Sequence, residues 1–75
     1  MNKERRKRIA DVCEKIQDLR SELEDIQSEE QDYLDNIPEN MQQGEKAEAA
    51  QEAIANIDDA MNGLDEAESV LEEIS

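Results

Sequence analysis

The chain has no histidine, no tryptophan and no phenylalanine, and among its 75 residues only one cysteine, one proline and two glycines. Each scarcity removes a class of chemistry. Without histidine, the common nucleophile-and-base pairings lack their base. With Cys13 alone, neither an intrachain disulfide nor a cysteine-built zinc site can form, and a lone thiol suits a reducing compartment such as the cytoplasm. No long apolar run follows the basic start MNKERRKRIADVCEKI, so neither a signal peptide nor a membrane span is expected. Tyr33 is the sole aromatic. A chain this short buries a modest core and often relies on a partner. Carboxylate catalysis needs two acids held across a cleft, and nothing here predicts one. The sequence therefore points away from an enzyme and calls for no cofactor.

Charge is abundant instead: 22 acidic against 8 basic residues, net −14. It is unevenly spread. Residues 1–20 hold seven basic and four acidic side chains, net +3; residues 21–75 hold Lys46 against eighteen acids, net −17. Such a body repels nucleic acid and anionic membranes and attracts basic protein surfaces.

The apolar residues impose order on this composition. Ile9, Val12, Ile16, Leu19, Leu23 and Ile26, then Tyr33, step by three and four, with Glu30 alone interrupting the series. This is a heptad pattern of coiled-coil type, which predicts a helix over about 3–35 with these rows as its seam. The second half repeats the steps with smaller side chains: Ala50, Ala53, Ile57, Ala60, Leu64, Ala67, Leu71 and Ile74, widened by Ile54 and Met61. It predicts a helix over about 45–74, and the even spacing through Asn62-Gly63 favours continuity over a break there.

Between the two lies DNIPENMQQG, residues 35–44. Pro38 bars a helix interior and pushes Ile37 toward extended dihedrals; Gly44 can end or begin a helix, and Glu45 suits a helix N-terminus. A turn over about 36–44 folds the chain into one domain, an all-α antiparallel two-helix hairpin. Matching the rows pairs Ile9 with Leu71, Ile16 with Leu64, Leu23 with Ile57 and Ile26 with Ile54. The same register brings the basic cluster Lys3 to Arg8 beside Asp65, Glu66, Glu68, Glu72 and Glu73, each cluster otherwise misplaced on its helix dipole. Two helices leave apolar edges uncovered, so a homodimer forming a four-helix bundle is expected, with a third short helix as the alternative.

Other candidates are weaker. DDAMNGLDEAES resembles a calcium loop with Asp58 first, Asn62 fifth and Gly63 sixth, but Ala60 and Ser69 stand where ligands three and twelve belong. No metal site is expected. Glu30 reads as a polar residue tolerated near the hairpin mouth, or as an acceptor for a partner's arginine. Cys13 reads as a small apolar residue flanking the seam, and Tyr33 as a cap on the core near the turn. The run KERRKR lacks aromatics and has an acidic body behind it, so direct nucleic-acid binding is not expected.

The outward acids are the remaining candidate surface: Glu22, Asp25, Glu29 and Asp32 on the first helix, and Glu48, Glu52, Asp58, Asp59, Glu66 and Glu73 on the second. A rod bearing them would present a field like that of a nucleic-acid backbone to a basic groove. Around the turn, Glu29, Glu30, Gln31, Asp35, Asn36, Ile37, Pro38, Glu39 and Gln42 resemble a motif of small acidic helical proteins of bacteriophages, prophages and other mobile elements. The chain departs from that pattern at Gly44, where such proteins often have serine before the second helix. The resemblance implies a phage or mobile-element origin, a host-cell cytoplasmic setting and inhibition of a host defence protein, in the manner of an anti-CRISPR that mimics DNA. A structural or adaptor coiled coil acting through self-association is the alternative the residues leave open.

Overall fold

A computed structural model describes residues 1–41 and 44–74; Gln42 and Gln43, within the expected turn, and Ser75 lie outside the described residues. Two long helices, α1 (Lys3–Asp35) and α2 (Glu45–Glu72), run antiparallel and pack along their length, with a single 3₁₀ turn at Glu39–Met41 before α2. The hairpin is a narrow rod of 59 × 15 × 12 Å. Among the described residues, no helix is long and apolar enough to cross a membrane.

The ends follow from local chemistry. Asn2 caps α1, its Oδ1 accepting from the Arg5 N–H at 2.8 Å. At the other end the Asn36 backbone N–H donates to Asp32 O at 3.1 Å, and its Nδ2 donates to the same carbonyl at 2.8 Å. The helix thus stops before Pro38 can clash with it. Pro38 O then accepts from Met41 N–H at 2.8 Å, and Met41 O from Gly44 N–H at 3.0 Å, which carries the chain around to α2. Gly44 is the N-cap, extended at φ −83°, with no side chain to cap with. A Cβ there would stand 3.2 Å from Met41 O, so the glycine serves a close backbone approach rather than a left-handed conformation. Glu45 and Glu48 in the first turn complement the dipole of α2. The helix runs unbroken through Asn62-Gly63, so no third helix forms there and the calcium-loop look-alike is helical throughout. It ends at Glu72, two residues short of the expected limit.

The seam is rotated from the one the heptads predict. On α1 the sheltered residues are Ile9, Cys13, Ile16, Arg20, Leu23, Gln27, Glu30 and Leu34; on α2 they include Ala47, Ala50, Ile54, Ile57, Met61, Leu64, Glu68 and Leu71. Each helix buries the row of Ile9 or Ala50 together with the row four residues on, not three. Val12, Leu19, Ile26 and Tyr33 are left 43–51% exposed, and Ile74 is exposed too. Tyr33 therefore does not close the core, and Gln27 rather than Ile26 meets Ile54. On α2 bulk favours this turn. The row three ahead is mostly alanine (Ala53, Ala60, Ala67), whereas the row four ahead carries Ile54 and Met61. Turning those two inward removes more apolar surface from water. Cys13 consequently sits in the seam, the one buried residue of α1.

Candidate interaction surfaces

This rotation sorts the surface of the rod into strips of different chemistry. Along a helix each residue advances about 100°, so residue i+3 falls about 60° to one side of residue i and i+4 about 40° to the other. Antiparallel helices are related by an approximate two-fold axis normal to the plane of the hairpin, which keeps matching rows on the same side. One flank is polar, the other is not, and the two outer ridges are acidic.

The polar flank is zipped between the helices. Arg20 Nε donates to Asp65 Oδ1 at 2.7 Å while its Nη1 pairs with Glu24. Gln17 Nε2 donates to Glu68 Oε2 at 2.6 Å, and Gln27 Nε2 to Ile54 O at 3.0 Å. The hydrogen bonds to Asp65 and Glu24 raise the Arg20 pKa further. Burial, and then the carboxylates of Glu68 and Glu72, push the Cys13 thiol up. A thiol held protonated in this way is a poor nucleophile and metal ligand. The ion pairs of this flank join Arg20 to Asp65 and to Glu24. Asp65, expected to lie beside the N-terminal basic cluster, is held by Arg20 instead. Among the described residues, no group of three or more acids and thiols converges as a metal site.

The outer ridges carry the carboxylates. All ten acids singled out in the sequence are exposed: Glu22, Asp25, Glu29, Asp32, Glu48, Glu52, Asp58, Asp59, Glu66 and Glu73. They do not form one face. Asp25 and Asp32 belong to a row that begins at Glu4, Asp11 and Asp18, in which every member is acidic and exposed. Glu52, Asp59, Glu66 and Glu73 continue a matching row from Glu45, again acidic and exposed throughout. Each row points directly away from the other helix, so the rod has a line of carboxylates along each narrow edge, one about every 10.5 Å. Glu4, Asp11, Asp18 and Glu45 were not among the expected contacts; their shared heptad position was the signal. Glu22 and Glu29 lie beside the apolar flank, and Asp58 beside the polar one.

The remaining flank is the one that bears Val12, Leu19, Ile26 and Tyr33. At its end Tyr33, Ile37, Pro38 and Met41, with Asn36, Asn40, Glu45 and Lys46, line an open groove beside the turn. No protein-family model matches the chain, and no curated protein or solved structure is significantly similar to it.

Proposed function

We propose that the chain is a non-enzymatic binding module whose acidic edges engage a basic protein surface of the kind that otherwise holds nucleic acid. The observation that carries this reading is the pair of uninterrupted carboxylate rows, Glu4 to Asp32 and Glu45 to Glu73, on opposite edges of a rod. Each strand of a DNA duplex carries one phosphate per about 3.4 Å of helix axis, so one carboxylate about every 10.5 Å gives each row roughly a third of a strand's linear charge density. A net charge of −14 adds long-range attraction, giving fast and salt-sensitive association. The resemblance of the turn residues to those of phage and mobile-element proteins supports the narrower reading, an inhibitor that occupies the nucleic-acid site of a host defence protein in the cytoplasm, anti-CRISPR-like. The exposed row of Val12, Leu19 and Ile26 favours a second reading, a structural or adaptor coiled coil.

The test is capture from host lysate at low and high salt, with nucleic acid as competitor. The proposal expects a nucleic-acid-binding protein that is released by salt and by added DNA or RNA. Replacing Asp25, Asp32, Asp59 and Glu66 with lysine should abolish capture while leaving the helical signal unchanged. Capture that survives this reversal, or a partner indifferent to salt, refutes it.

A further inference from the structure

The flank opposite the polar zip is the least charged part of a heavily charged molecule. On α2 the two rows facing this side are Lys46, Ala53, Ala60, Ala67 and Ala49, Asn56, Gly63, Val70, with Lys46 at the turn end their one ionisable group. On α1 the corresponding apolar row is Val12, Leu19, Ile26 and Tyr33. Its outer border, Arg8, Lys15, Glu22 and Glu29, changes sign halfway along. This border names the occupant. A second copy laid face to face and reversed end for end brings Lys15 against Glu22 of the second copy, and Arg8 against Glu29 of the second copy, on both sides of the axis. In that register Val12 meets Ile26 of the second copy, and Leu19 meets its own symmetry mate.

The axis that these charges place beside Leu19 also crosses α2. The cross-links from Arg20 to Asp65 and from Gln27 to Ile54 put Leu19 level, within about a turn, with Gly63. This is the one glycine inside a helix, and a Cβ on it would meet nothing within 4 Å in the single hairpin. Glycine in a helix interior is costly unless something must come close. At the axis, α2 of each copy approaches α2 of the other at this residue, with alanines on either side. From Arg8 to Tyr33 this face is about 38 Å long on a rod 15 Å wide, which offers about 550 Å² per copy and so clears the roughly 1,000 Å² in total that a specific interface needs.

We infer that this flank is the interface of a two-fold homodimer, a four-helix bundle in which α1 packs antiparallel on α1 and α2 on α2, with the axis through Leu19 and Gly63. The arrangement leaves both carboxylate edges outside and does not depend on what they bind. The other closed arrangement, α1 on α2 of the second copy, sets the α1 border against uncharged residues and pairs none of its charges.

Sedimentation equilibrium of the full chain tests it. The wild type is expected at twice its 8.6 kDa mass. Lys15→Glu sets two acids against each other at each of two symmetric positions and should raise the dissociation constant at least about tenfold. Adding Glu22→Lys to it should restore the wild-type value, since within one chain residues 15 and 22 lie two turns apart on α1. Gly63→Leu should yield a monomer of equal or greater helicity, because the single hairpin has room for the side chain. A wild type that is monomeric at every concentration overturns the inference. So does a dimer indifferent to Lys15→Glu or to Gly63→Leu, or one that the double charge swap fails to restore.

Discussion

Met61→Ala separates the observed seam from the one the heptads alone would build. Met61 is 5% exposed, on the row that turns inward beside Ile57 and Leu64. Replacement with alanine removes three heavy atoms from the side chain. At about 0.8 kcal/mol per buried methylene-sized group, the loss is about 2 kcal/mol. The cavity contribution adds little, because a two-helix seam is open at its sides and can close over the gap. Had α2 instead buried Ala53, Ala60 and Ala67, Met61 would stand on a wet flank and its truncation would cost under about 0.5 kcal/mol. Urea unfolding followed by far-ultraviolet circular dichroism gives the difference directly. In a domain of this size about 2 kcal/mol also lowers the melting temperature by on the order of 10 °C. A loss below about 0.5 kcal/mol with unchanged m-value refutes the rotated seam.

Other perturbations probe single features. Asn2→Ala removes the cap that Arg5 N–H donates to and should cost about 1 kcal/mol, read from the same urea midpoints; no change means the first turn is held otherwise. Arg20→Gln breaks the pairs with Asp65 and Glu24, but these groups are partly exposed, so the cost should be under about 1 kcal/mol and should shrink as salt is added; a loss indifferent to salt contradicts the electrostatic account. Cys13 should alkylate far more slowly in the folded chain than in urea, and equal rates would show that it is not buried. Its raised pKa means that the folded chain holds the thiol proton more tightly than the unfolded one. The associated stability is therefore present below the ordinary thiol pKa and is lost as pH rises through the raised value. Cys13→Ala should remove that alkaline fall, and an identical fall in the variant would assign it elsewhere.

Much of this architecture is legible in the sequence, and what is not has identifiable reasons. The two helices and the reversal at Pro38 follow from apolar spacing and one proline, both local signals. The rotation of the helices does not, because three rows of α2 carry apolar side chains and spacing alone cannot say which two face inward. On α2 bulk can, since Ile54 and Met61 outweigh the alanines of the competing row; on α1 bulk points the other way, toward the exposed Val12, Leu19, Ile26 and Tyr33. Cys13, Arg20 and Gln27 read as solvated or flanking residues because polarity marks them so, yet the seam shelters them where α2 supplies Glu68, Asp65 and the Ile54 carbonyl. The carboxylate edges were hidden by abundance. With acids at so many positions, the two heptad rows composed of nothing else emerge only once it is known which way each helix faces. Asp65 illustrates the opposite failure: placed by the sequence beside the N-terminal basic cluster, it is held by Arg20 across the seam.

The most direct test of the account is hydroxyl-radical footprinting of the native chain, which needs no substitution because its methionines are internal standards. Met61 is 5% exposed whereas Met1 and Met41 are 62% and 55% exposed. The hairpin with its rotated seam predicts that Met61 oxidises many times more slowly than the other two, and that the protection disappears in urea. Oxidation of Met61 at the rate of Met1 and Met41 under native conditions would contradict it, whether the cause were an uninterrupted rod, an unfolded chain or a hairpin turned to bury the other row.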